Sequence, residues 1–104
     1  MKTVETLNGS KIYIGQNAKE NDIVTFEVAY PDDLWVHAKD APGAHVVIHG
    51  PCTPACIREA AKEALAHSQA IRPIVDICKA GHVKKFGGAS PGQVQIMNSW
   101  TYKV

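Results

Sequence analysis

The chain has 104 residues, of which 45% are hydrophobic and 20% are charged, and its net charge is +1. This length fits one domain over residues 1–104, and the near-neutral charge excludes a protein that coats nucleic acid by charge alone. No apolar run approaches the ~20 residues of a membrane span, and the N-terminus lacks the apolar core of a signal peptide. The three cysteines, an odd number, suit a reducing compartment. We therefore expect a cytoplasmic, monomeric protein without membrane contact.

The segment before Pro31 holds one predicted hairpin and one ambiguous element. Residues 11–15 are typical of a strand that follows the Asn8-Gly9 turn signal, and residues 4–7 would pair with it. Residues 23–30 fit two periods. Alternate apolar residues favour a strand, whereas apolar residues three and four apart favour a helix with Asn21 or Asp22 as its N-cap. Intrinsic propensity favours the strand.

An aromatic ring, two imidazoles, an ammonium group and a carboxylate lie around one Pro-Gly turn in residues 33–48. Small apolar residues alternate there with functional ones, which predicts a strand with a core face and a chemical face. The side chains on the chemical face are Trp35, His37 and Lys39. Because tryptophan is usually mostly buried, Trp35 is either a core residue or part of an exposed platform.

The turn after this strand is predicted from Pro42 and Gly43, which suit the central positions of a type II turn. Residues 46–48 then form a buried, β-branched strand. An even-length connection would put Asp40 and His45 on one sheet face, opposite His37 and Lys39. In that arrangement, Asp40 would orient His45 and favour its charged form.

The clearest helix is predicted over about residues 54–71. Thr53 is a suitable N-cap and Pro54 a suitable first helical residue, the apolar stripe consists of small residues, and Pro73 follows the end. Three or four strands are expected over residues 74–104. The fold class is therefore α+β, with a mixed or mainly antiparallel sheet and one principal helix packed on a face.

A basic stretch lies between Lys79 and Lys85, where there are three lysines and one histidine but no acidic residue. Without acidic neighbours, the side chains of Lys79, His82, Lys84 and Lys85 are candidates for phosphate contact. In a strand, His82 and Lys84 would share one face. The alternative is an edge strand that uses lysines to discourage aggregation.

The motifs in residues 14–22, 33–46 and 82–92 together resemble the NFACT-R domain, the C-terminal RNA-binding module of large ribosome quality-control factors. The similarity covers roughly residues 12–104. It implies that residues 20–30 form a second, shorter helix, and that the domain contacts RNA on or near the ribosome. Two positions depart from the pattern: Gln16 stands where Arg is expected, and Ala44 replaces a commoner Ser.

We therefore predict a stand-alone, non-enzymatic module that recognises structured RNA, either tRNA or ribosomal RNA, without a cofactor. A module that docks on a ribosomal or quality-control protein through the same basic surface is the alternative. The predicted RNA-binding residues are His37, Lys39, Asp40, Pro42, Gly43, His45, Lys79, His82, Lys84 and Lys85.

Two other kinds of site have weaker support. His37 and His45, with Asp40 to orient them, would suffice for acid-base cleavage of RNA, but no nucleophile is paired with a base. His49, Cys52 and Cys56 lack the fourth ligand and the recognisable spacing of a structural zinc site. We expect neither catalytic nor metal-binding residues.

Overall fold

The computed structural model describes residues 1–104. In chain order the strands are β1 (Lys2–Glu5), β2 (Lys11–Ile14), β3 (Leu34–Ala38), β4 (Val46–His49), β5 (Ile74–Lys79), β6 (Val83–Lys84), β7 (Gln95–Ile96) and β8 (Trp100–Lys103). Six of them form one antiparallel sheet in the order β1-β2-β4-β3-β5-β8, and β6 and β7 form a separate antiparallel ribbon. The α+β class and the predicted N-terminal hairpin are confirmed.

Helix α2 (Pro54–Ala66) covers one face of the sheet. As the predicted N-cap, Thr53 accepts a hydrogen bond from the backbone N–H of Cys56, 3.2 Å away. The helix buries only small side chains, so it packs closely on the apolar side chains of β2, β3, β4 and β5 in one continuous core. The buried helix residues are Cys56, Ala60, Ala61 and Ala64.

Helix α2 ends at Ala66, before the predicted end near residue 71. Ser68 explains the early end. Its hydroxyl donates to the carbonyl of Leu65 at 2.8 Å, and its backbone forms an isolated β-bridge with Gly43 in the β3–β4 turn. The end of α2 is therefore tied to that turn. Neither helix of the fold has the length and apolar character needed to cross a membrane.

The opposite face of the sheet is covered by helix α1 (Ala18–Ile23), its π-helical continuation (Val24–Val28) and the β6–β7 ribbon. The shorter helix is confirmed, but it begins earlier than predicted because Asn17 is the N-cap. The Asn17 side chain accepts a hydrogen bond from the N–H of Glu20 at 2.8 Å. Trp35 lies beneath this layer and is only 2% exposed, so it is a core residue.

The turn between β3 and β4 is not the type II turn that was predicted. Such a turn needs a positive φ at Gly43, but the positive φ in this loop, 54°, belongs to Asp40. Gly43 permits close packing instead, because a Cβ at this position would lie 2.5 Å from the Cβ of Ser68. Asp40 is exposed and pairs with Arg72 at 3.5 Å.

Candidate nucleic-acid interface

A cleft of about 850 Å³ opens on the face of the sheet that carries Trp35. Its walls come from three separate parts of the chain: residues 15–18, the β3–β4 turn, and the loop between β6 and β7. No lysine, arginine, aspartate or glutamate lines it, so the surface carries no formal charge apart from its histidines. The polar lining residues are Gln16, Asn17, Asn21, His37, His45, His67 and Gln93.

Trp35, His37 and His45 form a cluster of three rings at the cleft. The indole of Trp35 and the imidazole of His37 are stacked, with centroids 5.5 Å apart and planes 10° apart. The His45 ring stands edge-on to both, 5.0 Å from Trp35 and 5.3 Å from His37. Such stacked and edge-to-face contacts are the favoured ring geometries. Because Trp35 is buried, the half-buried His37 is the ring of the pair that a ligand can reach.

Strand register explains why His45 joins this cluster. Val36 pairs with Val46 across β3 and β4, so one step further along the hairpin His37 and His45 lie opposite each other. Residues directly opposite in an antiparallel pair point to the same face. The prediction that His45 would face away from His37 is therefore wrong.

The orientation of His45 is fixed by Thr25. The indole Nε1–H of Trp35 donates to the Thr25 hydroxyl at 3.1 Å, and that hydroxyl lies 2.9 Å from Nδ1 of His45. An indole N–H can only donate, so the hydroxyl accepts from Trp35, and because the hydroxyl has no other hydrogen-bond partner, its own proton is directed to Nδ1 of His45. Nδ1 of His45 is then an acceptor, and the neutral ring carries its proton on Nε2.

The ring cluster is uncharged at neutral pH. Burial, followed by the nearby His37, lowers the pKa of His45 to about 4. Burial also lowers the pKa of His37. The predicted role of Asp40 in favouring a charged His45 is wrong, because Asp40 pairs with Arg72 and the partners of His45 are neutral. Neutral rings stack and hydrogen-bond, but they do not attract phosphate electrostatically.

Asn21 connects α1 to the β3–β4 turn. Its Oδ1 accepts the backbone N–H of His45 at 3.0 Å, and its Nδ2 donates to the carbonyl of Gly43 at 3.3 Å. Gly15 makes room for this residue, since a Cβ there would lie 2.9 Å from the Asn21 Cα. The Gly15 and Asn21 positions of the family-like motif thus hold the floor of the cleft in place.

The loop between β6 and β7 is fastened by Lys85 and Asp22. The ammonium group of Lys85 donates to the carbonyls of Ser90 (2.8 Å) and Gln93 (3.0 Å) and pairs with Asp22 at 3.0 Å. Asp22 also accepts the backbone N–H of Gly92 at 3.0 Å. Lys85 therefore has its donors engaged within the protein and braces the wall of the cleft.

Four predicted RNA-binding residues, His37, Pro42, Gly43 and His45, line the cleft. The others lie outside it and are held differently. Lys39 pairs with Asp76 at 3.6 Å and Lys79 with Asp32 at 3.5 Å.

The basic stretch is less free than the sequence indicated. Lys79 and Lys85 form ion pairs with aspartates that are distant in sequence. The lack of acidic residues nearby in the sequence therefore does not mean that these lysines are unpaired in the fold. His82 lies in a short 3₁₀ helix rather than in a strand, and its Nδ1 is buried without a partner. Lys84 is exposed and forms no ion pair.

The sequence reasoning missed several residues that form or support the cleft. Phe86 lines the cleft and is 41% exposed, His67 lines it from the C-terminal end of α2, and Thr25 supports His45 from below. An aromatic residue directly before the Gly87-Gly88 pair was a usable signal for Phe86. The sequence contains no such signal for Thr25, because its role depends on contacts with Trp35 and His45, which are distant in sequence.

The residues considered for zinc are engaged elsewhere. Nδ1 of His49 lies 3.0 Å from both carboxylate oxygens of Asp33. The Cys56 thiol is buried in the core 3.3 Å from the Ser10 hydroxyl, and Cys52 is exposed.

The comparisons with known proteins agree with this architecture. A family model described as the NFACT protein RNA binding domain matches residues 2–98. The chain belongs to this family. This NFACT RNA-binding domain is 42% identical over 98 residues to the Rqc2 homolog RqcH of Bacillus subtilis, an alignment that covers 90% of this chain and 17% of that protein.

Further relatives extend the match. The Rqc2 homolog RqcH of Streptococcus pneumoniae is 36% identical over 98 residues, which cover 89% of this chain and 18% of that protein. The solved C-terminal part of the fibronectin/fibrinogen-binding protein from Streptococcus suis superposes with a TM-score of 0.91 and 32% identity, covering 98% of this chain and 43% of that one. The NFACT RNA-binding domain described here thus spans less than a fifth of the curated relatives it matches.

Proposed function

We propose that this domain is a non-enzymatic module that binds structured RNA, either tRNA or ribosomal RNA, in cytoplasmic ribosome quality control. Membership of a family described as RNA-binding carries the proposal. The resemblance to RqcH proteins supplies the quality-control setting. The cleft supports it further, because rings and amide groups that bases use for stacking and hydrogen bonding meet there.

Phosphate contacts are available on the surface outside the cleft rather than within it. Lys84 and Lys19 are exposed and form no ion pair, and Lys19 directly follows the lining residue Ala18. Lys79 pairs with the exposed Asp32, and a surface ion pair of this kind is worth only about 0–1 kcal/mol. An RNA phosphate can therefore replace this carboxylate partner at small cost. These few contacts predict a modest salt dependence of binding.

The proposal gives the domain one task within larger relatives. Because this chain spans 17% of the Bacillus subtilis protein, we assign it RNA contact alone and attribute no catalysis to it. The residues considered for RNA cleavage support this view, since Asp40 pairs with Arg72 and is not beside His45.

The test measures binding of the purified domain to a tRNA and to a ribosomal RNA fragment by fluorescence anisotropy at increasing salt. We expect binding to both kinds of folded RNA, weakening as salt rises. Absence of binding to any RNA at low salt would overturn the proposal and favour docking on a protein partner. Loss of intact RNA during the incubation would overturn the non-enzymatic assignment.

A further inference from the structure

The cleft contains a hydrogen-bond donor that the protein itself does not use. His45 is 2% exposed, and Thr25 directs the proton of its neutral ring to Nε2. The ring forms its hydrogen bond within the protein through Nδ1, which leaves Nε2 for another partner. It is not sealed inside the fold either, because the fully enclosed polar side-chain atom without a partner is Nδ1 of His82. Since His45 lines the cleft, its Nε2–H is available to an occupant of the cleft.

The remaining lining specifies the chemistry of that occupant. His37 and the 41% exposed Phe86 present ring surfaces, while Gln16, Asn17 and Gln93 contribute amide groups able to donate and accept. No lysine or arginine faces the cleft, so a phosphate would find no counter-charge there. A flat, uncharged ring system with hydrogen-bonding edges fits these features. The volume of about 850 Å³ lies within the range of ligand pockets.

We propose that the cleft receives a single unpaired nucleobase of the bound RNA, which stacks on the exposed rings and accepts a hydrogen bond from Nε2–H of His45. This inference rests on the proposed RNA binding and specifies where the base goes. The phosphates flanking that base stay outside the cleft, near Lys19. Paired bases are excluded, because their edges and faces are already occupied in the helix.

The test compares two blunt RNA duplexes that differ by one chemical group. One carries a single bulged nucleotide, and the other carries an abasic bulge with the same sugar and phosphate. We expect the abasic duplex to bind about tenfold more weakly, the order expected for one stacked base. The salt slope should be equal for the two, because their phosphates are the same in number. The ¹⁵N signal of His45 Nε2 should shift with the base-containing duplex and remain in place with the abasic one.

A matched pair of variants locates the effect in the cleft. Phe86→Ala removes a lining ring, and Phe26→Ala removes a ring that is also 41% exposed but lies outside the cleft. Phe86→Ala should abolish the difference between the duplexes, whereas Phe26→Ala should preserve it. Both side chains are partly exposed, so the fold is not at risk.

The outcomes separate this inference from the function on which it rests. Equal, salt-dependent binding of both duplexes would overturn the base site and leave RNA binding intact. A difference between the duplexes without any shift at His45 would overturn the role of its Nε2–H. Failure of both duplexes, tRNA and ribosomal RNA to bind at low salt would overturn RNA binding itself.

Discussion

The hydroxyl of Thr25 accepts the indole N–H of Trp35 at 3.1 Å, which leaves the hydroxyl proton for His45. This one oxygen joins the π-helical segment to two strands beneath it. It also connects a buried core residue with the polar floor of the cleft, so stability and binding geometry depend on the same contact.

Replacing Thr25 with valine tests this contact. Thr25→Val keeps the shape of the side chain but leaves Nε1 of Trp35 without an acceptor and Nδ1 of His45 without a donor. We expect a loss of about 1–3 kcal/mol in the free energy of unfolding, the typical cost of leaving a buried polar group unpaired. Urea denaturation measures this loss, and Thr101→Val on the exposed face of β8 is the control with little expected effect. Equal stability of the two variants would contradict the network.

The close approach of Gly43 to Ser68 leads to a second prediction. In Gly43→Ala, the new Cβ would lie 2.5 Å from the Cβ of Ser68, so the turn and the end of α2 must move apart. We expect a destabilisation of about 1–3 kcal/mol, as for other overpacked sites. Thermal denaturation of Gly87→Ala serves as the control, because nothing lies within 4 Å of a Cβ at Gly87. A neutral Gly43→Ala would show that this contact does not set the turn.

Lys84 and Lys85 are neighbours in sequence with different expected roles. Lys84 is free, so Lys84→Ala should weaken binding to all RNA sequences alike and reduce the salt slope by about 1. Lys85 holds the β6–β7 loop through Ser90, Gln93 and Asp22, so Lys85→Ala should speed amide hydrogen exchange in residues 86–94. Lys62→Ala, on the exposed side of α2, should change neither quantity. A Lys84→Ala variant with an unchanged salt slope would remove this residue from the RNA contacts.

The buried His45 makes stability depend on pH. Its pKa is about 4 in the folded protein against 6.5 as the ordinary value, so between these values the unfolded chain binds a proton that the folded one does not. Stability is therefore complete above about pH 6.5 and decreases as pH falls towards about 4, by about 3 kcal/mol in total. Urea titrations across this range measure the effect. His45→Gln should reduce the dependence and leave the part due to His37, whose pKa burial also lowers, whereas His67→Gln at the half-buried end of α2 should retain it in full.

Local patterns predicted much of this fold. The alternation in residues 34–39 correctly separated a core face from a second face, and Thr53 with Pro54 correctly placed the start of α2. The family resemblance selected a helix for residues 23–30, where propensity favoured a strand. Tertiary packing of the segment on Trp35 and Val47 outweighs its intrinsic strand propensity.

The site was predicted only in part, because its decisive contacts join distant residues. The face of His45 follows from the register of β3 against β4, which the turn residues alone did not determine. The carboxylates of Asp22 and Asp32 neutralise lysines that had no acidic neighbours in sequence. Ion pairs between residues far apart in sequence cannot be predicted from a short stretch of that sequence.

The bond from the Gly92 backbone to Asp22 joins residues 70 positions apart. During synthesis, the strands that carry the ring cluster leave the ribosome well before the loop that completes the cleft. A growing chain of this domain therefore lacks its finished binding surface until residues beyond Gly92 have emerged.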